Sequence, residues 1–158
     1  MKIKKTIALV AHDNRKRDLA EWVAWNSQKL SNHKMVCTGT TGKMIESILM
    51  GKRKSKNLKQ KMPIKKLKSG PLGGDQQLGA MIAESKIDII IFFWDPMEPQ
   101  PHDVDVKALL RIAVLYNIPI ANNRSTADFI ISSELFEDDY NPIVKDYSGY
   151  LNRNILNI

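Results

Sequence analysis

Two short segments of the sequence place a carboxylate or an imidazole where either group could transfer a proton. In SGPLGGDQQ (69–77), three glycines and a proline precede Asp75 at the expected start of a helix. Asp75 could therefore cap that helix or act as a catalytic base. In PHDVD (101–105), two carboxylates flank His102, which suits a catalytic histidine, a helix cap or a metal ligand. The predicted element has no second histidine at metal-ligand spacing, so a metal site is the least favoured of these readings.

A third segment has the groups that bind an anion. TGTTG (38–42) combines three threonine hydroxyls with two glycines at a predicted helix start, where free backbone N–H groups and the helix dipole attract negative charge. Phosphate would suit this segment, although an ordinary capped turn can have the same composition. Lys16, shortly after His12, could neutralise the anion or simply be solvated. His33 lies in a polar loop, and we predict that it is at the surface.

The elements that must position these residues alternate between strands and helices. Short apolar or β-branched runs predict strands at 6–11, 35–38, 64–67, 87–94 and 118–121. Residues at helical spacing predict helices between the strands, including one that Asp13 or Asn14 caps and that reaches Leu30, one capped by Ser125 or Thr126, and a last one at 147–156. We expect a single-domain, three-layer α/β/α fold with a mainly parallel, doubly wound sheet. Ligands bind beyond the carboxyl ends of the strands in such sheets, and the polar motifs fall there.

The composition limits the class of protein. A chain of 158 residues with 43% hydrophobic content fits one domain, which we expect to span 1–158. Its longest apolar run, 89–94, is too short for a membrane span, and the first apolar run is too short for a secretory signal. Cys37 is the one cysteine, which excludes an internal disulfide and suits a reducing compartment, so we expect a cytoplasmic protein.

The net charge of +7 is concentrated in one segment. Residues 52–68 carry 9 of the 24 lysines and arginines and no acidic residue, so the remainder of the chain is slightly acidic. We expect this lysine-rich insertion to be a surface excursion, with polyanion binding or subunit contacts as lesser options. It has no aromatic residues for stacking on bases, which disfavours nucleic acid as a partner.

Taken in order, the motifs resemble the methylglyoxal synthase family. The matching segments are IALVAHD (7–13), TGTTG, SGPLGGDQQ, FFWDP (92–96), PHDVDVKALLR (101–111), IPIANN (118–123) and TADFII (126–131). The resemblance implies an enzyme that converts dihydroxyacetone phosphate into methylglyoxal and inorganic phosphate without a metal or an organic cofactor. It also implies a homohexamer that inorganic phosphate inhibits.

The resemblance assigns roles to individual residues by motif. Asp75 would remove the substrate proton, His102 would meet the enediolate oxygens, and Asp105 would orient His102. His12 and Asp95 would line the same cleft. The phosphate group would be held by Lys16, Thr38, Thr40, Thr41, Ser69 and Gly70.

Two features depart from the family pattern, and one alternative function stays open. The connection between TGTTG and SGPLGGD, which holds the lysine-rich insertion, is longer than is usual in the family. The arginine near the family's C-terminus matches Arg153 only with a shift of one position against Tyr150, so Arg153 receives no role.

The alternative is a catalytically silent phosphate-sensing module on the same fold, which would need Lys16 but neither Asp75 nor His102.

Overall fold

The polypeptide folds as strands that alternate with helices. The computed structural model describes residues 3–56 and 63–152, with the backbone alone for 52–56. The described strands are Thr6–Ala11 (β1), Lys34–Cys37 (β2), Ile64–Lys66 (β3), Ile89–Phe93 (β4) and Ile120–Ala121 (β5). The described helices are Lys16–Trp25 (α1), Ser27–Leu30 (α2), Gly39–Lys56 (α3), Gly74–Ala83 (α4), Asp103–Leu115 (α5), Arg124–Ser132 (α6) and Ser148–Leu151 (α7). Short 3₁₀ turns lie at Asp13–Arg15, Gly70–Leu72 and Glu134–Phe136.

The described strands form one parallel sheet in the order β3-β2-β1-β4-β5. β1 lies at the centre, where Ile7 is opposite Met35 of β2 and Ile89 of β4. β1 and β4 are nearly all apolar and buried, as strands covered on both faces must be. The predicted parallel, doubly wound sheet is confirmed.

Helices cover both faces of the sheet. Because successive strand residues point to opposite faces, Ile7 and Leu9 pack in one core and Ala8 and Val10 in another. The first core receives apolar side chains from α1, α3 and α6, and the second receives them from α4 and α5. The predicted three-layer α/β/α architecture is therefore confirmed.

The order of the strands creates a crevice beside β1. After β1 the chain builds β2 and β3 on one side, and it then crosses to build β4 and β5 on the other side. The connections that leave β1 and β4 therefore diverge at the carboxyl edge of the sheet. Such a switch point is where open parallel sheets bind ligands.

Several predicted helix boundaries are wrong for local reasons. The first helix ends at Trp25 instead of continuing to Leu30, and the Asn26 side chain donates to the Trp22 carbonyl at 2.9 Å. Asn123, rather than Ser125 or Thr126, caps α6, since its side chain accepts from the Thr126 N–H at 2.9 Å. The predicted last helix appears as Ser148–Leu151, and residues beyond 152 lie outside the described chain.

The prediction that His33 lies at the surface is wrong. Its side chain is buried, with the ring packed edge-on against Phe136 at a centroid distance of 4.9 Å. The Lys5 backbone N–H donates to His33 Nδ1 at 3.2 Å, and burial lowers the pKa of the imidazole. The buried Lys5 ammonium donates in turn to the Asp138 carbonyl at 2.7 Å. His33 therefore joins the start of β1 to the segment after α6.

The lysine-rich insertion is divided between several elements. Its first residues extend α3 to Lys56, and its later part contains the edge strand β3. Residues 57–62 lie outside the described chain, so the role expected for the insertion stays a prediction.

Candidate active site

A cavity of about 300 Å³ lies at the switch point between β1 and β4. Most of the residues assigned a role from the sequence line it, namely His12, Lys16, Thr38, Thr40, Thr41, Ser69, Gly70, Asp75 and His102. Asp95 and Asp105 lie near these residues but do not line the cavity. Side chains from four separate connections thus converge on one space.

A larger cavity of about 1250 Å³ lies at the opposite edge of the sheet. It is lined by residues at the amino ends of the strands, including Thr6, Lys34 and Ile64. None of the residues that could transfer a proton or bind phosphate in the sequence analysis lines this cavity. We therefore assign the candidate active site to the smaller cavity, where the chemistry-bearing groups are.

Asp75 is a buried carboxylate within the first turn of α4. Gly73 is the helix cap, and Asp75 makes no capping hydrogen bond, so the capping interpretation of Asp75 is wrong. Its Oδ2 atom is buried without a hydrogen-bond partner among the described residues and lies 3.7 Å from His102 Nε2. Burial raises the pKa of Asp75, and the nearby charge of Asp105 adds to the rise, while the two imidazoles oppose it. The carboxylate is thus a stronger base than an exposed aspartate.

His12 is held as a neutral hydrogen-bond donor. It follows β1 directly, and its Nδ1 accepts the Asp95 backbone N–H at 3.2 Å. Because Nδ1 is an acceptor, the bond assigns the ring proton to Nε2. Burial lowers the pKa of the imidazole, and Nε2 has no partner in the described chain. His12 therefore presents an unused N–H donor beside the cavity.

His102 lies at the N-cap position of α5, which places its ring at the end of the connection from β4. The rings of His102 and His12 meet edge-on, with centroids 5.9 Å apart. His102 Nδ1 is buried and, within residues 3–56 and 63–152, has no hydrogen-bond partner, so the Asp105 carboxylate does not bond to it in this structure. The prediction that Asp105 orients His102 remains a prediction. The Asp105 charge contributes, after burial, to the raised pKa of Asp75.

The end of the cavity that is predicted to bind an anion lies where α3 begins. Gly39 has φ of +27°, and a Cβ atom there would lie 2.7 Å from the Ser69 Cα atom, so only glycine lets the two motifs touch. The Lys16 ammonium donates to Thr40 Oγ1 at 2.6 Å and also pairs with Asp13. The N-terminus of the 18-residue helix α3 adds positive electrostatic potential at the same place.

Two polar residues that had no predicted site role, Asp13 and Gln100, also line the cavity. Asp13 was considered only as a helix cap, yet it pairs with Lys16 and lines the cavity. The three-residue spacing between an acid and a lysine was the one signal available for this pair. Gln100 lines the cavity from the connection between β4 and α5, and its position between two prolines carries no recognisable signal.

Asp95 supports the site from beside the cavity. Its carboxylate accepts the Met97 N–H at 3.1 Å and the Asn14 side-chain N–H at 3.1 Å. These two hydrogen bonds lower the pKa of Asp95, in that order of importance. The contact of Asp95 with a site side chain is the backbone hydrogen bond to His12. Its predicted role in substrate binding stays a prediction.

Unpartnered polar atoms concentrate at this cavity. Within the described residues, five buried side-chain nitrogen or oxygen atoms have no hydrogen-bond partner, and three of them are His12 Nε2, Asp75 Oδ2 and His102 Nδ1. A buried polar atom left unpaired costs about 1–3 kcal/mol of stability, so such atoms are rare unless a ligand meets them. No group of three or more His, Cys, Asp or Glu side chains in the described chain is placed to hold a metal ion.

The fold and the site together define a class of protein, namely a doubly wound α/β domain with a buried carboxylate–imidazole pair beside a lysine and threonine hydroxyls. A family model described as the MGS-like domain matches residues 18–122. The chain is 57% identical to the methylglyoxal synthase of Maridesulfovibrio salexigens over 153 residues, which cover 96% of this chain and 98% of the relative. It is 54% identical to the methylglyoxal synthase of Proteus mirabilis, over 93% of this chain and 90% of the relative.

A solved structure also relates the chain to methylglyoxal synthases. The crystal structure of methylglyoxal synthase from Elizabethkingia anophelis NUHP1 superposes with a TM-score of 0.86 at 53% identity, covering 98% of this chain and 95% of the other. The chain belongs to the methylglyoxal synthase family. The predicted family, fold and enzyme class are thereby confirmed, and the silent sensor module is not favoured. In the described chain, none of the helices combines the length and apolar character needed to cross a membrane.

Proposed function

We propose that this protein converts dihydroxyacetone phosphate into methylglyoxal and inorganic phosphate, with Asp75 as the base. The observation that carries the proposal is the buried Asp75 Oδ2 atom, unpartnered among the described residues and 3.7 Å from His102 Nε2, in a cavity whose other end holds Lys16 and Thr40. Membership in the methylglyoxal synthase family supports the assignment.

The reaction begins with a proton transfer. Asp75 takes a proton from the hydroxymethyl carbon, and the electrons of that C–H bond form an enediolate with the neighbouring carbonyl. The bridging C–O bond then breaks, and the phosphate leaves with its electron pair. The remaining enol gains a proton on carbon and loses one from oxygen, which yields methylglyoxal. Substrate and products balance without water, oxidant or reductant, and the proposed reaction requires no metal or organic cofactor.

The imidazoles act on the oxygens of the intermediate. His12 offers an N–H donor at Nε2, because its Nδ1 accepts from Asp95. His102 stands beside Asp75, where it meets the carbonyl and hydroxyl oxygens and moves protons between them. Donors that are already oriented toward developing negative charge are often the largest contribution to catalysis.

The anion cradle decides between elimination and isomerisation. The proposed ligands of the phosphate are Lys16, Thr38, Thr40, Thr41, Ser69 and Gly70. Phosphate leaves from an enediolate when the bridging C–O bond is perpendicular to the enediolate plane, since the π electrons can then enter its antibonding orbital. A cradle that meets at the start of α3 and a base on α4 hold the two ends of the substrate separately and favour that torsion. An analogue complex with the phosphate in plane would contradict this step.

The proposal extends to regulation and assembly. Inorganic phosphate inhibits by occupying the cradle that the product leaves. The chain forms one catalytic domain over 1–158, with the lysine-rich insertion at about 52–68, and it functions in the cytoplasm as a homohexamer. Support for assembly comes from exposed apolar side chains such as Trp25, Val114 and Phe129, which a subunit contact would cover. Light scattering coupled to gel filtration measures the number of subunits.

The test of the function is incubation of the purified chain with dihydroxyacetone phosphate while methylglyoxal and phosphate are measured together. Equal amounts of the two products are expected from the wild type. Asp75→Asn should lower kcat by about 10²–10⁴-fold, the usual contribution of a general base. The matched control is Asp18→Asn, at a half-exposed position on α1. Equal rates in wild type and Asp75→Asn would remove Asp75 as the base, and no product from the wild type would refute the function.

A further inference from the structure

The connection between β4 and α5 carries His102, and few hydrogen bonds hold it. Residues 95–101 include three prolines, which have no backbone N–H to donate. The Met97 N–H is used within the connection, since it donates to the Asp95 carboxylate at 3.1 Å. At its far end the Asp103 N–H donates to the Gln100 carbonyl at 3.1 Å. The His102 carbonyl accepts the Asp105 and Val106 N–H groups at 2.9 and 3.2 Å, which anchors the residue to α5. The setting of His102 relative to β1 therefore depends on how this connection is held.

Asn14 provides such a contact through one side chain. Its Nδ2 donates to Asp95 Oδ2 at 3.1 Å and to Glu98 Oε2 at 3.0 Å, which matches the two protons of an amide nitrogen. Asn14 lies in the 3₁₀ turn Asp13–Arg15, whose cap residue is His12. The Asn14 amide therefore joins the turn that follows His12 to the connection that carries His102.

Asp95 joins this contact directly to His12 and, along the chain, to the connection that carries His102. Its carboxylate receives the Asn14 amide, while its backbone N–H fixes His12 by donating to Nδ1 at 3.2 Å. Its carboxylate also begins the turn that leads through Glu98 to His102. Loss of the Asn14 amide would leave two carboxylates, Asp95 and Glu98, near each other without the donor they share.

We propose that Asn14 is a positioning residue that sets where His102 stands relative to Asp75, an inference that rests on the function proposed above. Asn14 does not line the cavity, so it acts through the connection rather than on the substrate. Asp75 Oδ2 and His102 Nε2 are 3.7 Å apart, and a displacement of about 1 Å in such a pair can lower the rate by about 10²-fold.

The first experiment compares steady-state kinetics of the full chain with dihydroxyacetone phosphate. Asn14→Ala is expected to lower kcat by about 10- to 100-fold and to leave KM within about twofold, since the Asn14 amide bonds to Asp95 and Glu98 and not to a proposed phosphate ligand. Asn14→Asp is expected to lower kcat further at neutral pH, because a third carboxylate then meets Asp95 and Glu98. Asn32→Ala and Asn32→Asp are matched controls at an exposed site and should retain wild-type kcat.

A double-mutant cycle separates positioning from a general loss of stability. The change Asn14→Ala is repeated in a His102→Asn background, with kcat measured in all four proteins. If Asn14 acts through His102, Asn14→Ala changes kcat by less than about twofold in that background. A purely structural role would lower kcat by the same factor in both backgrounds and would overturn the inference.

The outcomes also separate this inference from the function on which it rests. An inactive wild type would refute the proposed function and this inference with it. An active wild type with an unchanged kcat in Asn14→Ala would refute the role of Asn14 alone. A raised KM with unchanged kcat would do the same, because it would place Asn14 among the groups that bind the substrate.

Discussion

Replacement of Gly70 by alanine tests the geometry of the reacting pair directly. Gly70 lies beside the two proposed catalytic side chains, and a Cβ atom there would be 2.9 Å from His102 Nε2 and 3.0 Å from Asp75 Oδ2. Its φ lies outside the left-handed region, so the alanine backbone itself is unstrained. The added methyl group therefore acts through what it touches.

The size of the effect follows from these distances. An ordinary contact requires at least 3.4 Å, so the imidazole and the carboxylate must each move by about half an ångström. The methyl group also fills space between the base and the histidine, where the reacting carbon is proposed to bind. Catalytic groups tolerate displacements of about 0.5 Å, and about 1 Å can lower the rate by about 10²-fold. We expect Gly70→Ala to lower kcat/KM by about 10²-fold or more.

The stability of the Gly70→Ala protein should differ little from that of the wild type. The atoms that must move are the ends of side chains, and a glycine-to-alanine change restricts the unfolded chain, which stabilises by about 0.4–1 kcal/mol where the backbone permits. The two effects oppose each other, so Tm should stay within about 4 °C of the wild type. Gly79→Ala is the matched control, since a Cβ atom in that part of α4 meets nothing within 4 Å.

The assay measures kcat/KM from methylglyoxal formation and Tm by calorimetry for both variants and the wild type. Gly79→Ala should keep wild-type kinetics and gain about 0.5–1 kcal/mol of stability, as expected for replacing glycine inside a helix. Wild-type kcat/KM in Gly70→Ala would refute the reasoning, because it would show that the pair of Asp75 and His102 does not need the described spacing. A collapse of Tm in Gly70→Ala would show that the loop, rather than the pair, is sensitive.

Three further predictions concern titratable groups. Burial raises the pKa of Asp75, and the base must be ionised, so kcat/KM should begin to fall with decreasing pH at a higher pH than an exposed aspartate would cause. A kcat/KM that stays constant down to the pH at which an exposed aspartate titrates would contradict this prediction. Burial lowers the pKa of His33 in the native state, so below about pH 6.5 the unfolded chain binds more protons than the native chain, and the free energy of unfolding falls as the pH drops. His33→Gln should reduce this pH dependence of the free energy of unfolding, measured by urea titration. An unchanged pH dependence would exclude the contribution of His33. Burial raises the pKa of the Cys37 thiol to about 12, so a thiol reagent at pH 8 should label it only after unfolding, and rapid labelling of the native protein would show that the site opens.

The elements were predictable where local pattern and tertiary environment agree. The run at 89–93 lacks alternation because both faces of β4 are covered, and the motifs after β1 and β4 meet because parallel strands end at one edge of the sheet. Most of the candidate residues therefore line one cavity. Their order along the chain was sufficient to bring them together.

Side-chain direction was not predictable from that order. Asp95 follows β4 as expected, yet its carboxylate points to the Met97 N–H and to Asn14 rather than into the cavity. Asp105 makes no hydrogen bond to the unpartnered Nδ1 of His102. Both outcomes depend on turn geometry and on contacts across the fold, which residue types and spacing do not specify.

The prediction that His33 is exposed was wrong for a related reason. Its neighbours in sequence are polar, which predicts exposure, but the groups that bury it come from Lys5 and Phe136. Contacts between residues about 28 and 103 positions apart leave no local pattern. The same holds for the amide of Asn14, whose partners lie 81 and 84 positions away.

The close approach of Gly39 and Ser69 joins the two ends of the cavity. Gly39 opens the helix that carries the proposed phosphate cradle, and Ser69 begins the loop that leads to Asp75. A side chain at position 39 would separate them, because its Cβ atom would stand 2.7 Å from the Ser69 Cα atom. At one end of the cavity the Lys16 ammonium donates to Thr40 at 2.6 Å, and at the other end Asp75 Oδ2 is unpartnered within the described chain. The spacing between the proposed phosphate cradle and the proposed base is therefore set by a backbone contact that only glycine at position 39 permits.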